Sequence, residues 1–242
     1  MITLIGTGHV FDLRNQILEI LDRKQPDLIC VELDEKRYVA LMQRKNGNLN
    51  VKENKNASVL YQLLGKFQES MAKQYGVQAG DEMLTGIQFA HDHQRPIAFI
   101  DVAADQMFAR MLREMSFTEK LRLFISSFGS MFVSKQKVDE EINKIETNLE
   151  SYLAQVGDKF PTIKRVLLDE RNQHMANQIR KAHDDYEEIV AIVGDGHIPG
   201  LKHLLEQQDQ LVETIRLKEL RKKKPKPEET SSASFSVEYN GW

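Results

Sequence analysis

The chain has 242 residues, enough for one domain with a buried core and short for two. Its hydrophobic share of 41% and charged share of 29% are those of a globular protein, which excludes a chain disordered throughout. A formal net charge of -3 gives no global attraction for nucleic acid, and no window approaches the ~20 apolar residues that a membrane-spanning helix needs.

Ile2–Ile5 is a short apolar run that predicts a buried strand, and it leads straight into Gly6-Thr7-Gly8-His9. The start of the chain lacks the basic residues and long apolar stretch of a signal peptide, so a cytoplasmic location is expected. Leu13 to Arg23 carries the stripe Ile17, Leu18, Ile20 and Leu21, which predicts a helix that ends before Pro26. A second strand is predicted over Leu28–Leu33. It contains the single cysteine, Cys30, read as a small core hydrophobe that has no intrachain disulfide partner. Glu32 and Asp34 close this strand and, being two apart, would share one face of it. Asn46 to Ala57 has no apolar period and reads as an exposed loop.

Ile97–Ile100 predicts the third strand, followed by Asp101. From Ala103 to Glu188 the patterns are almost entirely helical. Phe117, Leu121, Phe124, Ile125, Phe128, Met131 and Phe132 form one broad apolar face, read as core packing, with a dimer contact or a substrate groove as alternatives. Val138, Ile142, Ile145, Leu149, Tyr152 and Val156 then repeat at steps of four and three. That heptad-like stripe needs a partner helix, within the chain or in a homodimer. Asp169-Glu170-Arg171 opens or continues a helix with His174 four residues beyond Glu170. Ile189–Val193 predicts the fourth strand, which runs into Gly194-Asp195-Gly196-His197. Past about Leu220 the run Arg221-Lys222-Lys223-Lys224-Pro225-Lys226 begins a polar tail, expected to be disordered and capable of weak contact with an anionic membrane surface. The reading is an α/β fold with a mixed central sheet, Gly-x-x-His turns at strand ends and a large helical insertion in the second half. Residues 1–215 form the domain, with a helical subregion at about 103–188, and 216–242 form the tail.

Two strands thus run into Gly-x-x-His, ending at His9 and His197. Paired glycines let the backbone turn tightly and place an imidazole at the carboxyl edge of the sheet, where α/β proteins bind ligands. The other two strands end in carboxylates: Glu32 and Asp34, and Asp101. Such a ring suits a divalent cation held by nitrogen and oxygen donors, or acid–base chemistry without metal. Capping of the following helix competes for each carboxylate.

These stretches resemble the TraB/PrgY (pheromone shutdown) family, which is related to Tiki metalloproteases and more distantly to erythromycin-esterase-like and ChaN-like proteins. The matching residues are Gly6-Thr7-Gly8-His9-Val10, Val31-Glu32-Leu33-Asp34 with Arg37-Tyr38, Gly80-Asp81-Glu82-Met83, Asp169-Glu170-Arg171-Asn172 with Met175, and Val193-Gly194-Asp195-Gly196-His197-Ile198-Pro199-Gly200. The resemblance implies a site lined by His9, His197, Glu32, Glu82 and an arginine, and it alone brings Glu82 forward. For the Tiki branch it implies metal-dependent peptide hydrolysis, with manganese or cobalt as the ion; the mixed imidazole and carboxylate donors also suit zinc. Family members often carry Asp-Arg after the third strand, whereas this chain has Asp101-Val102, so one site arginine is absent unless Arg37, Arg110 or Arg171 substitutes. Many relatives also continue into membrane helices, and this chain runs into a polar tail.

The expected function is a metal-dependent hydrolase acting on a peptide. His9, His197 and Glu32 or Glu82 hold the ion, the other glutamate acts as general base, and Arg37 or Arg171 steadies the oxyanion. The alternatives are a peptide or small-ligand binding protein that uses the same pocket without turnover, and haem binding by His9 or His197.

Overall fold

The computed structural model describes residues 1–8, 11–45, 80–122, 154–155 and 157–222. Five strands form one sheet: β1 (Ile2–Thr7), β2 (Leu28–Val31), β3 (Ile97–Phe99), β4 (Ile189–Gly194) and β5 (Val212–Ile215). Their spatial order is β3-β2-β4-β1-β5, and every pairing is parallel, where a mixed sheet was expected. β4 lies between β1 and β2, with Thr7 opposite Gly194 and Val31 opposite Ile192. Both Gly-x-x-His segments therefore leave neighbouring strands at the same edge, beside the end of β2.

The four anticipated strands are mostly apolar because helices cover both faces of the sheet. Ile5, Ile29, Val31, Val190 and Ile192 face one helical layer, made by α1 (Arg14–Lys24), α3 (Asp81–Asp92) and α8 (Leu217–Lys222). Leu4, Cys30, Ile189, Ala191 and Val193 face the other, made by α6 (Glu170–His183) and α7 (Ile198–Glu206). This is the two-residue alternation of extended chain written into the core. α2 (Glu35–Lys45) follows β2. α4 (Ala104–Glu114) packs Met107 and Met111 against Val166, in a helical run that starts as α5 (Pro161–Lys164) and passes through a π-turn, Arg165–Asp169, into α6.

Some sequence expectations shift. Val212–Ile215 is a half-buried edge strand whose Val-Glu-Thr-Ile pattern has no long apolar run to mark it as a strand. The polar tail was placed from residue 216, yet α8 carries the packed core on to Lys222, because Leu217 and Leu220 are buried against the sheet. Of the Phe117–Phe132 face, Phe117 and Leu121 are exposed, at 79% and 47%. The rest of that face, the Val138–Val156 stripe, the 46–57 loop and the chain beyond 222 lie outside the described residues. No helix among the described residues is long and apolar enough to cross a membrane.

Candidate functional site

β2 stops at Val31, and the chain turns at Glu32, so Glu32 and Asp34 do not share a strand face as expected. They divide the two roles between them. Asp34 Oδ1 accepts the Lys36 and Arg37 backbone N–H groups at 2.9 and 3.1 Å, a helix N-cap for α2. Glu32 turns into the sheet edge, where its Oε2 accepts the Gly194 N–H at 2.6 Å.

Arg171, near the start of α6, reaches the same carboxylate from the other direction and bonds Glu32 Oε1. Its guanidinium also donates to Asp101 through Nε and one terminal nitrogen, both at 2.9 Å, and to the Leu167 carbonyl at 3.2 Å. Arg37 adds a second guanidinium on Asp101 at 3.2 Å. Asp101 thus meets two arginines, neither of them next to it in sequence. No arginine stands at position 102; of the three alternatives, Arg171 and Arg37 meet Asp101, while Arg110 pairs with Glu170. Burial raises the Glu32 carboxyl, but the adjoining His197 imidazole and the Arg171 guanidinium, with the hydrogen bond from the Gly194 N–H, outweigh it. They hold Glu32 well below the usual carboxylate range. Burial likewise lowers Arg171, and Glu32 and Asp101 more than reverse this, so the guanidinium stays charged.

The second Gly-x-x-His turn is anchored at Gly194, Asp195 and His197. Asp195 forms a two-pronged ion pair with Arg216, both contacts at 2.9 Å, and accepts the Leu217 N–H at 2.9 Å. Gly6 allows this, since a Cβ there would lie 2.2 Å from Asp195 Oδ1. His197 is buried and sits 2.7 Å through Nδ1 from Asn172 Oδ1, and its Nε2 lies 3.4 Å from Glu32 Oε1.

Glu82 is buried in the first turn of α3. A short link joins the end of α3 to the start of β3, so the helix runs antiparallel to the strands. A Cβ on Gly86 would press on Ile192 of β4 and approach Ile29 of β2. Glu82, four residues earlier on that face, therefore lies one turn nearer the carboxyl edge that bears Glu32 and His197. His9 lies outside the described residues.

The donor chemistry fits a metal in part. Nitrogen and oxygen ligands about 2.1 Å from one tetrahedral ion stand roughly 3.4 Å apart. His197 Nε2 and Glu32 Oε1 have that separation. The second nitrogen of the ring is engaged by Asn172, as is usual for a ligating histidine. Against this, Oε1 also carries the Arg171 guanidinium. Among the described residues no group of three or more His, Cys, Asp or Glu side chains converges. Beside Arg171 a cavity of about 370 Å³ opens, bordered by Val102, Met107, Val166, Glu170 and His174, a volume in the range of small-ligand sites.

Of the residues expected at the site, the structure gathers Glu32, His197, Arg171 and Arg37 into one connected group and sets Glu82 at the same edge. Asn172, though part of a matching stretch, had no role assigned from sequence. Asp101 was noted only as a strand-end acid. The model of the TraB/PrgY/gumN family matches residues 1–214. An uncharacterised protein of Methanocaldococcus jannaschii is 29% identical over 232 residues, covering 91% of this chain and 58% of its own length. A human TraB domain-containing protein is 26% identical over 239 residues, covering 82% of this chain and 61% of its own length, and the bovine protein of that name matches to the same extent. The chain thus spans about three fifths of the length of these relatives. It belongs to the TraB/PrgY/gumN family.

Proposed function

We propose that the chain is a metal-dependent hydrolase acting on small peptides, with His197 and Glu32 among the ligands of a manganese, cobalt or zinc ion. The observation that carries this reading is the buried imidazole–carboxylate pair, 3.4 Å apart at the carboxyl edge of the central strands. His9 completes the proposed ligand set, with Glu32 as its carboxylate. The peptide substrate follows from resemblance to the Tiki branch.

When bound, such an ion supplies a water of lowered pKa. The other tasks belong to the chain. Arg171 and the Gly194 N–H fix Glu32 in place, and Asn172 fixes the ring of His197. Glu32, held well below the usual carboxylate range, is a weak base, so the general-base role goes to Glu82. All three nitrogens of the Arg171 guanidinium already have acceptors, so it holds the site together. Arg37 is a third exposed and among the described residues its side chain pairs with Asp101 alone, which leaves N–H groups to meet an oxyanion.

One observation favours a second reading, a binding protein without turnover: both oxygens of Glu32 already have donors. Incubating the full chain with a defined peptide mixture and manganese, followed by mass spectrometry, separates the two. Hydrolase action gives fragments with wild type and none with His197→Ala or Glu82→Gln. Retention of intact peptides on the protein, with no fragments, replaces it with the binding reading.

A further inference from the structure

We propose that Asn172 is a positioning residue that fixes which nitrogen of His197 carries the proton. With Asn172 Oδ1 at 2.7 Å, Nδ1 is the protonated nitrogen of the neutral ring, and Nε2 presents its lone pair to Glu32 Oε1 at 3.4 Å. Two acceptors then face each other. Left to itself, Glu32 would favour the opposite tautomer, with Nε2–H donating to its oxygen. The contact distances decide between these partners. A buried hydrogen bond at 2.7 Å is strong, whereas 3.4 Å lies beyond the normal range for N–H···O, and Arg171 already offsets the charge on Oε1. Asn172 therefore sets the tautomer, and it leaves Nε2 and Oε1 as a converging nitrogen–oxygen donor pair. In the hydrolase reading that pair is what takes the ion, but the tautomer holds whether or not a metal binds.

The fold invests in this contact. Asn172 is buried, and the neighbouring helix approaches it so closely that a Cβ on Gly200 would stand 2.2 Å from its Nδ2. Arg171 and Asn172 are consecutive, so the start of α6 grips Glu32 with one residue and His197 with the next. Both follow the π-turn Arg165–Asp169, whose Leu167 carbonyl accepts from Arg171. Each residue of an α-helix turns about 100°, so the extra residue of the π-turn sets the direction in which this pair points.

The test is a long-range proton–nitrogen NMR spectrum of the imidazoles in the full chain, recorded with chelator at a pH above imidazole titration. His197→Gln assigns the signals. The expected result is an Nδ1–H ring in wild type, an Nε2–H ring in Asn172→Leu, and a return to Nδ1–H in Asn172→Asp, which keeps an acceptor. An Nε2–H ring in wild type overturns the proposal, and so does an unchanged Nδ1–H ring in folded Asn172→Leu. Should Asn172→Leu not fold, Gly200→Ala gives the answer by displacing the amide: a shift toward Nε2–H supports the proposal, and no shift overturns it. None of these results depends on hydrolysis, so absence of peptidase activity leaves the test intact.

Discussion

Removing the guanidinium of Arg171 tests the electrostatic logic of the site. Arg171→Met keeps much of the side chain's volume and leaves Glu32 and Asp101, 8% and 2% exposed, without their shared cation. Breaking a buried pair by deleting one partner costs about 3–5 kcal/mol. The lower end, about 3 kcal/mol, applies here, because Arg37 still serves Asp101 and the Gly194 N–H still serves Glu32. For a domain of this size each kcal/mol moves the melting temperature by about 2–4 °C, so a fall of about 6–12 °C is expected at pH 7. The pH dependence has a definite sign. In wild type the Glu32 pKa is depressed, so its contribution is fully present above the unfolded glutamate value and is lost as pH falls through the folded one. In Arg171→Met, burial regains influence and raises that pKa, so acidification relieves the variant while it weakens the wild type. Thermal melts followed by circular dichroism from pH 7 to pH 4, with chelator present, should show the two curves converging. A variant that melts within 2 °C of wild type at pH 7, or a gap that widens in acid, would refute this account.

Three further predictions follow from the packing. Gly6→Ala drives a Cβ against Asp195 Oδ1, which Arg216 and Leu217 hold in place, so urea unfolding should show a loss of about 1–3 kcal/mol. Glu119 accepts hydrogen bonds from backbone and hydroxyl groups of both Ser116 and Thr162, tying two helix starts together. Burial raises its pKa, but those bonds prevail and lower it, so its contribution is present above the unfolded glutamate value and fades as pH falls through the folded one. Glu119→Gln should cost about 1–2 kcal/mol at pH 7 and flatten the acid limb of the stability curve. Burial pushes the Cys30 thiol up to about 12, so iodoacetamide at pH 8 should leave it unmodified in the native protein and label it in urea.

What could be read from sequence depended on how local the signal was. The three inner strands were legible because burial on both faces writes a nearly unbroken apolar run, as in Ile189–Val193, and the edge strand β3 still carries the short run Ile97–Phe99. β5 was not, because an edge strand carrying Glu213 and Thr214 needs no such run. The two Gly-x-x-His turns and the carboxylates at strand ends were visible, and the sheet order explains their meeting: β4 inserts between β1 and β2. Strand direction was invisible, since an apolar run has none. The pairing of Asp101 with Arg37 and Arg171 spans 64 and 70 residues, and no periodicity encodes it. Asn172 stands in a stretch that matches the family, but nothing local in the sequence gives its amide a task. Only the close approach of α7, through Gly200, reveals that its amide serves His197.

The central claim is that His197, with Glu32 and the first Gly-x-x-His turn, holds a divalent ion, and thermal stabilisation by metal tests it most directly. An ion that binds only the folded state stabilises by about 2.7 kcal/mol when free metal is 100-fold above its dissociation constant, which for this domain size is a rise of about 5–11 °C. Melts in manganese and cobalt should show that rise for wild type and for His183→Ala, a histidine at the far end of α6. His197→Ala and His9→Ala should each abolish it. An equal rise in all four proteins would contradict the account by placing the ion elsewhere, and no rise in any would remove metal from the site.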